Sequence, residues 1–159
     1  MYSMSNGGSW RIRMTSRVES AIVSSSPRVK WSPSVSRTLT GSTINTRSTL
    51  AGGGNALTIT GAADIDGAYT GLSSLSISGA SDLGANVTTT GAQTYTGAVT
   101  LSGGDRTLTT TNSAVTFSGT LNSEAGQNRA LTLALGTGQA TFGGAVGGTR
   151  ALGAVDITG

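Results

Sequence analysis

A short phrase containing one aromatic residue recurs along the second part of the chain, and this recurrence restricts the possible folds more than any other feature. The phrase reads "QTYTGAV" at 93–99, "VTFSGTL" at 115–121 and "ATFGGAV" at 140–146, with a weaker echo, "AYTGL", at 68–72. Four aromatic residues, at intervals of 26, 22 and 25, stand in it: Tyr69, Tyr95, Phe117 and Phe142. Such self-similarity is typical of repeat proteins whose units stack on one another.

Apolar and small polar residues alternate in short stretches such as "LSI" at 75–77, "VTL" at 99–101 and "LTL" at 131–133. A period of two predicts strands with one face inward, and the intervening Gly, Asn, Asp and Ser predict turns. The strands are too short for a transmembrane barrel, which needs about 9–11 residues per strand. We therefore expect residues 51–159 to form an all-β, parallel β-solenoid of four to five coils.

The aromatic residues are then expected to occupy one slot in successive coils. We predict that Tyr69, Tyr95, Phe117 and Phe142 form a structural ladder along one edge, with Leu, Ile and Val filling the interior and Gly at the corners. In an alternative interpretation, the same aromatics form an exposed row that stacks on glycans.

Composition divides the chain near residue 50. Residues 1–50 hold seven of the ten basic residues, one of the seven acidic residues and only three of the 25 glycines. This basic, Ser-rich segment is poor in large apolar residues, so we expect it to be disordered or not native to the repeat protein. A nucleic-acid-binding or lipid-binding basic arm and a transit peptide are two further interpretations, although the charges are scattered rather than clustered.

Several chemistries are excluded by composition. The chain has no Cys and no His, so disulfides, thiolate catalysis, the usual zinc sites and Ser-His-Asp triads are ruled out. "GGGN" at 52–55 and "GGD" at 103–105 resemble calcium-binding repeats but lack the second Gly-x-Asp spacing, and no Gly-Lys-Ser/Thr follows as in a phosphate loop. We expect no cofactor and no metal. No apolar run approaches the roughly 18 residues of a membrane-spanning helix.

Two polar patterns remain as candidate sites. Asp64 and Asp66 flank Ile65, so a strand would place both carboxylates on one face, about 7 Å apart, where they could serve glycoside hydrolysis. The alternative is a pair of solvated carboxylates in a turn. Thr-x-Thr occurs at 58–60, 88–90, 94–96, 107–109 and 109–111, as on the ice-binding faces of solenoids, but the irregular intervals argue against such a face. Surface threonines that favour strands are the simpler interpretation.

The phrases "TTTGAQTYTGAVTLSGG" at 88–104 and "RALTLALGTGQATFGGAVGGTRALGAVDITG" at 129–159 resemble the β-strand repeats of bacterial filamentous-haemagglutinin-like exoproteins. "GAQTYTGAVTLSGG" is also similar to the passenger-associated repeat of autotransporters. The resemblance covers 86–159 well, 51–85 loosely and 1–50 not at all. It implies a right-handed parallel β-helix on the bacterial surface, acting in adhesion or as a stalk, and it carries over no binding residue.

We therefore expect a structural or adhesive repeat segment of a secreted or outer-surface bacterial protein, with no catalysis. The expected partners are host or abiotic surfaces, including glycans, and other copies of the chain, end to end; no nucleic acid is expected. The family's signal peptide, secretion domain and translocator are missing here, which suggests a fragment or a degenerate gene. The alternative function is a carbohydrate-active β-helix enzyme that uses Asp64 and Asp66.

Overall fold

The computed structural model describes residues 21–23, 29–30 and 36–159, with side chains over 36–159. The described residues form strands and turns and no helix. The strands are β1 (Ala21–Val23), β2 (Val29–Lys30), β3 (Arg37–Thr46), β4 (Leu50–Ala51), β5 (Ala56–Ile65), β6 (Tyr69–Leu72), β7 (Ser74–Ile77), β8 (Ser81–Leu83), β9 (Val87–Thr89), β10 (Gln93–Tyr95), β11 (Val99–Leu101), β12 (Arg106–Thr109), β13 (Val115–Phe117), β14 (Leu121–Ser123), β15 (Leu131–Ala134), β16 (Ala140–Phe142) and β17 (Val155–Thr158).

All strand pairs are parallel and join each strand to its counterpart in the coil before or after it. The pairs define three faces. Face 1 consists of 37–40, 56–60, 74–77, 93–95, 115–117 and 140–142. Face 2 consists of 21–23, 43–46, 62–65, 81–83, 99–101 and 121–123. Face 3 consists of 29–30, 50–51, 69–72, 87–89, 106–109, 131–134 and 155–158. The predicted parallel β-solenoid is therefore confirmed.

Five coils have strands on all three faces: coil 1 (37–51), coil 2 (56–72), coil 3 (74–89), coil 4 (93–109) and coil 5 (115–134). Coil 6 (140–158) has strands on faces 1 and 3 and joins face 2 through the single bridge between Leu121 and Val146. The prediction of four to five coils was made for residues 51–159, and the total is six because coil 1 lies almost entirely upstream of that range. Leu57 pairs with Leu75 and Leu75 with Gln93, so a coil there takes 18 residues. The interval of 26 residues from Tyr69 to Tyr95 overestimates that period because Tyr69 does not occupy the slot of Tyr95.

The solenoid begins upstream of the predicted boundary at residues 50 and 51. β3 pairs with β5 along most of its length, and Ile44 and Leu50 are buried in the core. The Ser-rich composition of residues 1–50 hides this alternation, because only every second residue in a strand must be apolar. β1 and β2 pair with β3 and β4, so strands of a still earlier coil are also present. The remaining residues before 36, on which the expectation of disorder also falls, lie outside the described part of the chain.

The corner between faces 1 and 2 explains the glycine of the recurring phrase. Glycines stack there from coil to coil, and a Cβ at Gly119 would lie 2.5 Å from the carbonyl oxygen of Gly97. Only glycine allows successive backbones to approach this closely. In "QTYTGAV", Tyr95 therefore points inward on face 1, Gly97 turns the corner, and Val99 points inward on face 2.

Candidate functional site

The aromatic ladder lies inside the solenoid, on face 1. The rings of Tyr95 and Phe117 stack with centroids 5.2 Å apart, and those of Phe117 and Phe142 with centroids 5.4 Å apart. Tyr95 and Phe117 are fully buried. These two rings therefore cannot form an exposed row for stacking on glycans. In earlier coils the same slot holds Leu39, Ile59 and Ile77.

Tyr69 does not belong to this ladder. It lies on face 3, where it pairs with Leu50 and Val87. Its hydroxyl group is 3.0 Å from that of Thr46, and burial raises the pKa of Tyr69 to about 12, with the Thr46 contact acting in the opposite direction. The echo "AYTGL" resembles the phrase in sequence, but its position in the coil differs, which sequence similarity alone cannot detect.

The buried polar groups around Tyr95 satisfy one another. The Tyr95 hydroxyl donates to Oε1 of Gln93 at 2.9 Å, and Nε2 of Gln93 donates to the carbonyl oxygen of Thr109 at 2.9 Å. Burial also raises the pKa of the Tyr95 phenol. Because these donors and acceptors are paired inside the protein, the network stabilises the interior rather than presenting a binding site.

Carboxylates gather on the outer side of face 2. Asp64 and Asp82 are register partners in adjacent coils, and Asp66 follows Asp64 on the same side of the strand. Burial raises the pKa of Asp64, the negative charges of Asp66 and Asp82 raise it further, and Arg47 opposes the shift. The structure thus brings together the two predicted carboxylates and a third that sequence reasoning did not single out.

The chemistry available to this carboxylate cluster is limited. Asp82 accepts a hydrogen bond from the Ser102 hydroxyl, so part of its capacity is already used. Within the described residues, no group of three or more acidic residues has an arrangement that could hold a metal ion. A raised pKa is what close carboxylates produce on any partly buried surface, and it does not by itself assign a reaction.

The two motifs similar to calcium repeats stabilise turns. Asn55 of "GGGN" donates from its side-chain amide to the carbonyl oxygen of Gly52 at 2.9 Å. Asp105 of "GGD" accepts a hydrogen bond from the backbone nitrogen of Ala130, in the next coil, at 2.9 Å. Glu124 forms an ion pair with Arg129 at 2.6 Å. These polar side chains form hydrogen bonds with loop backbone or ion pairs with one another.

Hydroxyl groups line the outer side of face 1 in two columns that flank the ladder slot. We call this set the hydroxyl array. Its first column is Thr38, Thr58, Ser76, Thr94, Thr116 and Thr141, and its second is Thr40, Thr60, Ser78, Thr96 and Ser118. The sequence analysis found two of its stretches, at 58–60 and 94–96, but did not recognise a regular array because the intervals along the chain are irregular. The signal was the flanking pattern, Thr/Ser–apolar–Thr/Ser–Gly, which occurs at 38–41, 58–61, 76–79, 94–97 and 116–119, with "TFGG" at 141–144.

The comparisons with known proteins do not assign a function. No family model, no curated protein and no solved structure matches the chain. Among the described residues, no helix has the length and hydropathy that a membrane crossing would require.

Proposed function

We propose that the chain is a structural and adhesive repeat segment of a secreted or outer-surface bacterial exoprotein, wound with the right hand that the resemblance to filamentous-haemagglutinin-like proteins implies. The observation that carries the proposal is the difference in chemistry between the inner and outer sides of face 1. Mainly aromatic and aliphatic side chains fill the interior, and uncharged residues, most of them Thr and Ser, cover the outside. Such a rod displays the same surface on each coil, so weak contacts can act together.

End-to-end contact with a second copy extends the same proposal. Three inward positions of coil 6 are partly uncovered: Val146 is 41% exposed, Val155 40% and Ile157 52%. Their partners in coil 5 are fully buried. Parallel strand edges with apolar side chains favour pairing with another strand. The segment would then act as a stalk element as well as an adhesive surface.

Adhesion is tested by coupling the purified chain to beads and measuring their retention under flow on polystyrene, immobilised glycans and host cells. We expect retention above that of beads carrying an unrelated β-rich protein. Retention equal to that control, with the coupled chain folded, would contradict the adhesive role. Sedimentation over a concentration series tests end-to-end contact, which Ile157→Lys should weaken.

A carbohydrate-active enzyme is the second candidate, and the observation in its favour is the carboxylate cluster on adjacent coils with the raised pKa of Asp64. Paired carboxylates are the groups that glycoside hydrolysis uses. The test is release of reducing ends from a polysaccharide panel by the chain and by its Asp64→Asn/Asp66→Asn variant. Activity that disappears in the variant would replace the scaffold proposal with the enzyme.

A further inference from the structure

The hydroxyl array is a regular lattice even though the intervals between its residues in sequence are irregular. Thr94 pairs in register with Ser76 and Thr116, and Thr38 with Thr58, so the first column passes straight from coil to coil. Backbone nitrogens of the second column, including those of Ser78, Thr96 and Ser118, donate to the carbonyl of the preceding coil's ladder residue at 2.9–3.0 Å. Loops outside face 1 account for the variation in coil length. Irregular intervals in sequence are therefore compatible with a regular face of threonines.

Strand geometry fixes the two repeats of this lattice. Successive coils are separated by about 4.8 Å, and the two columns by two residues, or about 6.6 Å. Over six coils the array therefore extends about 24 Å along the solenoid axis. The Thr-x-Thr stretches at 88–90 and 107–109 fall on face 3 and do not join the array.

The array is free to contact an external surface. Of the eleven array residues, all of them within the described part of the chain, only Ser78 uses its hydroxyl within the protein, where it accepts a hydrogen bond from the backbone nitrogen of Gly61 at 3.0 Å. Eight of its eleven residues are threonines, each with a methyl group beside the hydroxyl. Their β-branched side chains have few rotamers, so holding them in a lattice costs little entropy.

The chemistry of the array favours crystalline water as its ligand. No member of either column is charged, so the surface does not select a polyanion or a polycation. The ladder rings of Tyr95 and Phe117 are buried beneath it, so they cannot stack on the sugar rings of a crystalline polysaccharide. Both lattice repeats lie close to spacings between oxygen atoms on the surface of hexagonal ice. The threonine methyl groups between the hydroxyls would displace mobile water, which would favour ordered water bonded to the hydroxyls.

We propose that the hydroxyl array is an ice-binding site that adsorbs to ice along the full length of face 1. Adsorption sums many weak, simultaneous contacts, so a single bulky residue near the centre prevents close approach over several coils. Binding of ice does not depend on the proposed adhesive role. Ice binding requires only the lattice of the hydroxyl array, whereas adhesion requires affinity for a host cell, a glycan or an abiotic surface.

The test measures incorporation of the fluorescently labelled chain into a growing ice hemisphere, together with the gap between melting and freezing temperatures. We expect the unchanged chain to enter ice and to open a measurable gap. Thr96→Lys, in coil 4, and Thr60→Lys, in coil 2, should both lose these properties. The matched control is Thr88→Lys, an equally exposed threonine on face 3, which should retain them.

Circular dichroism establishes that each variant is folded before it is compared. Because there are two face 1 variants, the comparison can still be made if one of them misfolds. Exclusion of the folded, unchanged chain from ice would overturn the proposal, as would equal losses in the face 1 variants and in Thr88→Lys. Retention on microcrystalline cellulose or chitin without incorporation into ice would assign the array to a polysaccharide and would also overturn it.

Discussion

Coil 5 and coil 6 contain the same phrase in the same register, but they differ in burial. Phe117 is fully buried, whereas its stacking partner Phe142 is only partly buried. On face 3, Leu133 is fully buried and its register partner Ile157 is 52% exposed. The difference arises because coil 5 has a neighbour on both sides and coil 6 has a described neighbour on one. Burial in a solenoid is therefore a property of adjacent coils rather than of a residue's own phrase.

The largest effect is expected from Phe117→Ala. Removing a buried ring between two stacked rings leaves a cavity, and the free energy of unfolding should fall by about 3–5 kcal/mol. Phe142→Ala removes the same ring from coil 6 and should cost clearly less. Urea titration of both variants measures the difference. Thr116→Ala, on the outer side of the same strand, is the control and should change stability by about 0.5 kcal/mol or less. Equal losses for the two Phe variants would contradict the role of the neighbouring coil.

The aliphatic pair on face 3 tests the same comparison without aromatic stacking. Leu133→Ala should lower the free energy of unfolding by about 2–5 kcal/mol, because the side chain is fully buried. Ile157→Ala should cost less than half as much, since water already contacts that side chain. Thermal midpoints of the two variants provide the measurement. A cost at Ile157 equal to that at Leu133 would indicate that another chain covers coil 6 in solution.

Alkaline pH should destabilise the central coils, which hold both buried tyrosines. The pKa of Tyr69 is about 12 in the folded protein and near 10 when exposed, so the unfolded state releases its proton first. Stability is thus full below pH 10 and falls as pH rises towards 12, by roughly 2–3 kcal/mol for this group. Urea titrations at intervals from pH 9 to 12 follow the loss. Tyr69→Phe should reduce it, and an unchanged pH profile in that variant would show that Tyr69 is not buried.

The smallest effect is expected on face 2. Because the pKa of Asp64 is raised above 3.8, its contribution to stability is present at pH values below 3.8 and is lost as pH rises through the folded pKa. Asp64→Asn should therefore raise the thermal midpoint slightly at pH 7 and leave it unchanged at low pH. Asp156→Asn, which removes an exposed carboxylate of coil 6, is the control. A lower midpoint for Asp64→Asn at pH 7 would show that the carboxylate is stabilising.

The alternation of apolar residues predicted the strands, and the recurring phrase predicted their stacking into coils and a shared inward slot for Tyr95, Phe117 and Phe142. The recurring phrase placed Tyr69 in the ladder wrongly, because a tyrosine followed by Thr-Gly occurs both at the end of face 1 and on face 3. Only the register of β6 against β4 and β9 distinguishes the two. Coil 1 was missed because the basic, Ser-rich composition of residues 1–50 hid its alternation, in which Leu39 holds the slot that Ile59 and Ile77 hold in the next two coils.

The candidate sites were less predictable than the fold. Asp64 and Asp66 are close in sequence, so their common face could be inferred. Asp82 joins them only through the pairing of two face 2 segments that begin at Ala63 and Ser81. The hydroxyl array could not be recognised from intervals, since the distance from Thr94 to Thr116 is 22 residues and that from Thr116 to Thr141 is 25. Loops set those intervals, and only backbone pairing sets the register.

Coil-by-coil register along face 1 underlies the ladder, the hydroxyl array and the comparison of coils 5 and 6, and spin-label distances test it most directly. The chain has no cysteine, so labels attach only at introduced sites. Pulsed dipolar measurements on Thr58→Cys/Thr141→Cys and Thr38→Cys/Thr141→Cys span four and five coil steps. We expect separations of about 19 Å and about 24 Å, which differ by one strand spacing. Distances that do not increase by that spacing, or that vary widely within one variant, would contradict the parallel in-register solenoid.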